Sequence, residues 1–188
     1  MRRHLLVCAG ALVVLGILVA LVSQTGGLPE PWGTLVGQNL SRAGHFTFLF
    51  LSVAYLLFGP LRTNEGRVLR VLWTAGAFVL DLAVVQILKK TVFWARPVDV
   101  GHTVENAVRG SGFPSGHTVP AFIIAVMVGH IYPRLQIPAL TMAILIGYSR
   151  AEVTAHFPLQ VFVSAIIGIV LGLLWTAFHK RFVTRATA

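Results

Sequence analysis

Seven residues in three separated segments have the types that phosphoryl transfer requires. The first segment reads Lys89-Lys90-Thr91-Val92-Phe93-Trp94-Ala95-Arg96-Pro97. The second reads Gly112-Phe113-Pro114-Ser115-Gly116-His117-Thr118. The third holds Ser149-Arg150 and, six residues after the arginine, His156. Lys89, Arg96 and Arg150 supply three cations. A guanidinium grips phosphate oxygens in bidentate fashion, and an ammonium acts as a compact point charge. Ser115 and Gly116 stand where an apolar run begins, so a helix starting there turns free N–H groups and its dipole toward an anion. Ser115 can cap that helix and donate its hydroxyl. Gly116 lets backbone approach an oxyanion with no side chain in the way. Together these residues make a cage for phosphate.

Two histidines add the chemistry. One imidazole can attack phosphorus and form a covalent intermediate. The other can protonate the leaving oxygen and later activate water. The cations balance charge on the equatorial oxygens. No carboxylate cluster suited to Mg2+ accompanies the set, so the expected mechanism uses no metal and no cofactor.

Residues this far apart need elements that bring them to one level. The chain has 188 residues, 56% hydrophobic and 11% charged, with a mean hydropathy of +0.80. Soluble domains are about 25% charged. The excess excludes an ordinary cytosolic domain, a disordered chain and a disulfide scaffold. Cys8, the single cysteine, sits in an apolar run and reads as a small buried hydrophobe. Six apolar stretches stand out, at roughly Leu5–Val22, His45–Leu61, Val68–Leu88, Ser115–Tyr132, Ile137–His156 and Pro158–Phe178. Each approaches the ~20 residues that cross a bilayer as helix. The expected fold is all-α, a single domain over 1–188 forming a six-transmembrane-helix bundle. The first stretch is read as a retained helix, because no small-x-small cleavage site follows it near Leu21 to Ser23. Ser23 to Gly44 is read as a short amphipathic element on the outer interface or as a plain loop.

The net charge of +9 does not imply nucleic acid, because the basic residues are scattered between apolar runs. They set orientation instead. Arg2, Arg3, Arg62, Arg67, Arg70, Arg134, Lys180, Arg181 and Arg185 fall on one side, nine in all. Arg42, Lys89, Lys90, Arg96, Arg109 and Arg150 fall on the other, six in all. The positive-inside rule then puts both termini in the cytoplasm and the three segments at the outer face.

Lys89-x6-Arg96-Pro97, Pro114-Ser115-Gly116-His117 and Ser149-Arg150-x5-His156 resemble the three-part signature of the type 2 phosphatidic acid phosphatase (PAP2) superfamily. That superfamily includes membrane lipid phosphatases and vanadium haloperoxidases. The motifs span Lys89 to His156, within a motif-bearing core of about 68–178. The resemblance implies that His156 is the phosphate-accepting nucleophile and His117 the general acid. It implies that Lys89, Arg96, Ser115, Gly116 and Arg150 hold phosphate. It also implies inhibition by vanadate. One position departs from the pattern. Gln160 stands four residues after His156, where the family has Asp. Its carbonyl can accept the imidazole N–H and orient the ring, but it carries no charge. Loss of the corresponding carboxylate in a serine protease costs about 10⁴ in rate. Glu152, four residues before His156, is a candidate substitute partner.

Other polar residues take blander readings. Lys90, Arg42 and Arg109 are interfacial anchors. His45 and His130 are polar interface residues. His102 and Glu105 belong to a solvated loop or touch a head group. Asp81, inside the third stretch, faces the bundle as a functional group or a structural hydrogen-bonding group. Gly168 and Gly172 are spaced for close helix packing. The resemblance favours a metal-independent phosphatase in the bacterial cytoplasmic membrane. Its partners would be the bilayer and a membrane lipid phosphate, of the undecaprenyl pyrophosphate, phosphatidylglycerol phosphate, phosphatidate or lipid A type. A lipid phosphotransferase using the same histidine is one alternative. A non-catalytic lipid-phosphate binding or transport protein, motivated by Gln160, is another.

Overall fold

The computed structural model describes residues 2–29, 32–58, 67–97 and 111–186. These residues form helices joined by turns and contain no strand. Helix α1 covers Arg2–Thr25, α2 Trp32–Asn39, α3 His45–Phe58, α4 Arg67–Thr91, α5 Thr118–Ile131, α6 Gln136–Glu152 and α7 Pro158–Ala186. A π-helical turn over Leu40–Gly44 joins α2 to α3, and a 3₁₀ turn over Pro133–Leu135 joins α5 to α6. His102, Glu105 and Arg109 lie outside the described residues, as does Arg62.

Apolar sequence around the whole circumference makes α5 the central helix. All but one of its residues, His130, are buried, and α7, α6, α3, α4 and α1 pack around it. The outer helices are apolar on their outward faces as well. Phe50 is 72% exposed on α3, Val79 66% on α4 and Leu174 63% on α7. Water would not tolerate so large an apolar exterior, and lipid does. α1, α4 and α7 are each long and apolar enough to cross a membrane. The chain is an integral membrane protein.

The helices alternate in direction between two ends of the bundle. At one end the Gln136 side-chain amide donates to the His4 carbonyl at 3.2 Å, joining the start of α6 to the start of α1. There Arg70, fully buried, donates through Nη1 to the Leu56 carbonyl at 3.4 Å and to the Tyr132 hydroxyl at 3.1 Å. It thereby satisfies a carbonyl in the last turn of α3. At the other end, His45 at the start of α3 meets His117 at the start of α5.

That second end is closed by the segment after α1. Gly26 and Gly27 take positive φ of 75° and 108° and turn the chain. The Glu152 carboxylate then accepts the Leu28 N–H at 2.7 Å and the Tyr148 hydroxyl at 2.6 Å. A Cβ on Gly33 would stand 2.9 Å from Glu152 Oε1. Glu152 therefore anchors the Ser23–Gly44 segment over the end of α6, and this segment contains helix α2 where a plain loop was the alternative. With both oxygens engaged there, Glu152 is not the partner of His156.

Helix α7 seats directly on α5. A Cβ at Gly168 would stand 2.6 Å from the Val119 carbonyl oxygen, and one at Gly172 would stand 2.9 Å from Val126 Cβ. The expected packing role of both glycines holds. Asp81 faces the bundle, as expected. It lines a cleft with Ala77, Phe78, Pro120, Ile123 and Ile124. Its Oδ1 has no hydrogen-bond partner among the described residues.

Candidate active site

Backbone turns at the ends of four helices build the site. The apolar run that begins α6 was expected to continue to His156, but the helix ends at Glu152. Thr154 takes a left-handed φ of 52°, and the chain folds back. The N–H groups of Ala155 and His156 both return to the Arg150 carbonyl, each at 3.1 Å. This turn gives physical content to the five-residue gap between Arg150 and His156. Pro158 then begins α7, where a missing N–H costs nothing.

Gln160 locks that start. Its Oε1 accepts the Phe157 N–H at 3.1 Å, and its Nε2 donates to the Ala95 carbonyl at 2.7 Å. A glutamine at the third helical position that reaches back to the cap N–H is half of a capping box. The expected bond from Gln160 to the His156 ring is not what forms. Instead His156 Nδ1 lies 2.7 Å from the Gly112 carbonyl oxygen. A carbonyl only accepts, so Nδ1 carries the proton and the neutral ring keeps its lone pair on Nε2. The backbone thus fixes the tautomer for which a carboxylate was the expected device.

Gly112 is held in turn. Its N–H donates to the Trp94 carbonyl at 2.7 Å. The Ser111 hydroxyl bonds the Val92 and Phe113 carbonyls at 2.8 and 3.0 Å. These bonds stitch the tail of the first motif to the head of the second. A Cβ at Gly112 would stand 2.9 Å from Arg96 Cγ and from both polar atoms of the Gln160 amide. Gly112→Ala should therefore displace the carbonyl that orients His156. Misplacement on that scale lowers kcat by about 10²-fold. Steady-state kinetics, read beside the unfolding temperature, checks it.

The remaining signature residues converge on the same end. Arg96, 9% exposed, reaches the Ala155 and Ser111 carbonyls, each at 3.4 Å. Lys89, in the last turn of α4, places Nζ 3.9 Å from where a Gly116 Cβ would be. Ser115 is fully buried. Its hydroxyl oxygen accepts from the Thr118 N–H at 3.4 Å and the Thr118 hydroxyl at 3.0 Å, so it satisfies the first N–H of α5. Its own N–H donates to the Ser164 hydroxyl at 2.8 Å, and Ser164 donates to the Gln160 carbonyl at 2.6 Å. Arg150 donates to the Ser41 hydroxyl. His45 is buried, and its ring centroid lies 4.3 Å from that of His117.

Burial and surrounding cations keep both signature histidines neutral. Burial comes first for His156, followed by Arg96, Arg150 and Lys89, with the Gly112 bond acting the other way, and its pKa falls to about 3. Burial again comes first for His117, followed by Arg150, His45, His156 and Lys89, and it also falls to about 3. A neutral imidazole surrounded by cations is a competent nucleophile. An entering dianion reverses the local field and favours protonation. Binding of tungstate, a tetrahedral dianion that does not itself titrate near pH 7.5, should therefore take up about one proton. Calorimetry in two buffers of different ionisation enthalpy reads it. Zero uptake or proton release would contradict the pKa assignment.

Ser41, His45, Ser111 and Ser164 were not legible as site scaffolding. Ser41 and His45 precede the three motifs, and single polar residues near helix ends carry no spacing signal.

A profile of the PAP2 superfamily matches residues 70–183, more than half of the chain. The chain belongs to the PAP2 superfamily. All three segments described above fall within the match. Undecaprenyl-diphosphatase BcrC of Bacillus subtilis (strain 168) is 26% identical over 134 residues, 70% of this chain and 67% of that protein. The bacitracin transport permease protein BcrC of Bacillus licheniformis is 27% identical over 144 residues, 73% of this chain and 70% of that one. The crystal structure of a transmembrane PAP2-type phosphatidylglycerolphosphate phosphatase from Bacillus subtilis matches the fold. Its TM-score is 0.65 at 21% identity, covering 93% of this chain and 96% of that one. This chain is thus a membrane member of the PAP2 superfamily, with the fold of a membrane PAP2 enzyme.

Proposed function

We propose that the protein removes the terminal phosphate of a polyprenyl diphosphate at the outer face of a bacterial cytoplasmic membrane, through a phosphohistidine and without a metal. The observation that carries this reading is the His156 ring. Its Nδ1 is committed to the Gly112 carbonyl, and Arg96, Arg150 and Lys89 all act on it electrostatically. In this reading Nε2 attacks the terminal phosphorus and the bridging P–O bond breaks. His117 supplies a proton to the departing lipid phosphate. Water, deprotonated by His117, then attacks the phosphohistidine, releases phosphate and restores neutral His156. Lys89, Arg96 and Arg150 hold the equatorial oxygens, with Gly116 leaving room for them. Gln160 acts by fixing the turn that carries His156. A diphosphate suits three cations gathered at one end of the bundle, and the similarity to an undecaprenyl-diphosphatase supports that head group.

In this reading residues 1–188 form one domain with six crossings. The alternating helix directions support six passes. The nine basic residues assigned to the end away from the site support cytoplasmic termini. The test is phosphate release by purified protein in detergent with EDTA, on undecaprenyl diphosphate, phosphatidylglycerol phosphate and phosphatidate. The expected result is vanadate-sensitive release, fastest on the diphosphate. Release only after Mg2+ is added, or from none of the three, would contradict the reading.

A further inference from the structure

The sequence region ahead of the three motifs supplies two side chains to the site. Ser41 lies in the π-helical turn between α2 and α3, and His45 begins α3. Four residues apart, they reach different signature residues. Ser41 accepts a hydrogen bond from the Arg150 guanidinium. His45 sets its ring against His117, with centroids 4.3 Å apart and planes inclined by 49°. π-helical turns of this kind concentrate at functional sites, because the extra residue re-aims the side chains that follow.

His45 does not look like a packing residue. It is 5% exposed, and its Nδ1 is buried with no hydrogen-bond partner among the described residues. A buried polar atom left unpaired is unfavourable, and a native protein that retains one needs a reason. The groups facing it are charged or titratable. They are His117 on the α5 side and Arg150 at the end of α6. Two imidazoles at this separation do not both ionise, because like charges repel. At most one of them is therefore protonated at a time, so His45 stays neutral beside His117 when an entering anion brings a proton to that ring.

We propose that His45 is a positioning residue for His117: its ring packs against the His117 ring and fixes its plane, so that His117 presents its proton to the leaving-group side of the site. This rests on the phosphatase reading and adds a fourth segment, Ser41-x3-His45, to the three motifs. The chemistry balances simply. The proton that His117 takes up as the anion enters passes to the leaving oxygen as its P–O bond breaks, and His117 recovers a proton from the water that attacks the phosphohistidine. Arg150, held by Ser41, belongs to the phosphate side.

A role through the general acid has a signature that simple destabilisation lacks. It matters in proportion to the basicity of the leaving group. p-Nitrophenolate departs without a proton, whereas the alkoxide of phosphatidate needs one. In the first turnover, before water attacks the phosphohistidine, His45→Ala and His45→Asn should release p-nitrophenolate from p-nitrophenyl phosphate at a rate within about threefold of wild type, which also reports a folded site. In the first turnover of phosphatidate both should lose about tenfold or more in rate, toward the 10²–10⁴ typical of a lost general acid. Equal losses on the two substrates, or no loss on phosphatidate, overturn the assignment. A wild type that cleaves neither monoester but releases phosphate from undecaprenyl diphosphate also overturns it, while the phosphatase reading stands. A wild type silent on all three removes both.

Discussion

His156→Ala should lower phosphate release by at least about 10⁴-fold, the scale seen when an enzyme loses its nucleophile and keeps the surrounding electrostatics. Alanine removes the protein atom that bonds to phosphorus in the proposed mechanism. Lys89, Arg96 and Arg150 remain, so the anion still binds. The His156 side chain makes one hydrogen bond, to the Gly112 carbonyl, and Gly112 is separately held by the Trp94 carbonyl through its N–H. Losing the ring should therefore leave the turn in place. The variant is expected to bind tungstate and to unfold near the wild-type temperature while turning over almost nothing. Activity within tenfold of wild type would contradict the assignment of His156 as nucleophile.

The second large effect is structural and far from phosphorus. Gly168→Val should prevent the bundle from assembling in a stable form. Even the first added carbon would stand 2.6 Å from the Val119 carbonyl oxygen and 2.8 Å from Phe122 Cβ. Neither neighbour can yield cheaply, because one is backbone and the other belongs to the buried centre of α5. Overpacking of one carbon costs about 1–3 kcal/mol, and the branched valine adds two more carbons. The α5–α7 contact also positions chemistry, because Ser115 ahead of α5 is pinned to Ser164 on α7. The expected outcome is aggregation in detergent for Gly168→Val, and a lowered unfolding temperature with reduced activity for Gly168→Ala. Wild-type stability in both variants would show that the two helices are not held this closely.

Apolar runs and motif spacing made the six long helices and seven residues of the candidate site readable. Hydropathy alone marks α1, α4 and α7, and the charge and glycine at Lys89, Arg96, Gly116 and Arg150 mark the end of the bundle that carries the candidate site. What remained hidden was set by backbone geometry. The Gly112 carbonyl that orients His156 is a group every residue possesses, so no residue type announces it. Gln160 looked like a weakened catalytic partner because its position in sequence is four after the histidine. The turn at Thr154 places its side chain on the Phe157 N–H and the Ala95 carbonyl instead. Glu152 is likewise drawn away by the Leu28 N–H, a contact across 124 positions of sequence. His45 and Ser41 come to the site only because the π-helical turn re-aims the start of α3, and periodicity of 3.6 cannot foresee that.

The central claim is that phosphate passes through a covalent bond to His156. The most direct measurement is rapid acid-free quenching of the purified protein with terminally ³²P-labelled undecaprenyl diphosphate in EDTA, followed by peptide mapping. Label is expected on the peptide containing His156, stable in alkali, lost in acid and absent from His156→Ala. Phosphate release with no protein-bound label at any time on the turnover scale, or label on a peptide lacking His156, would contradict it.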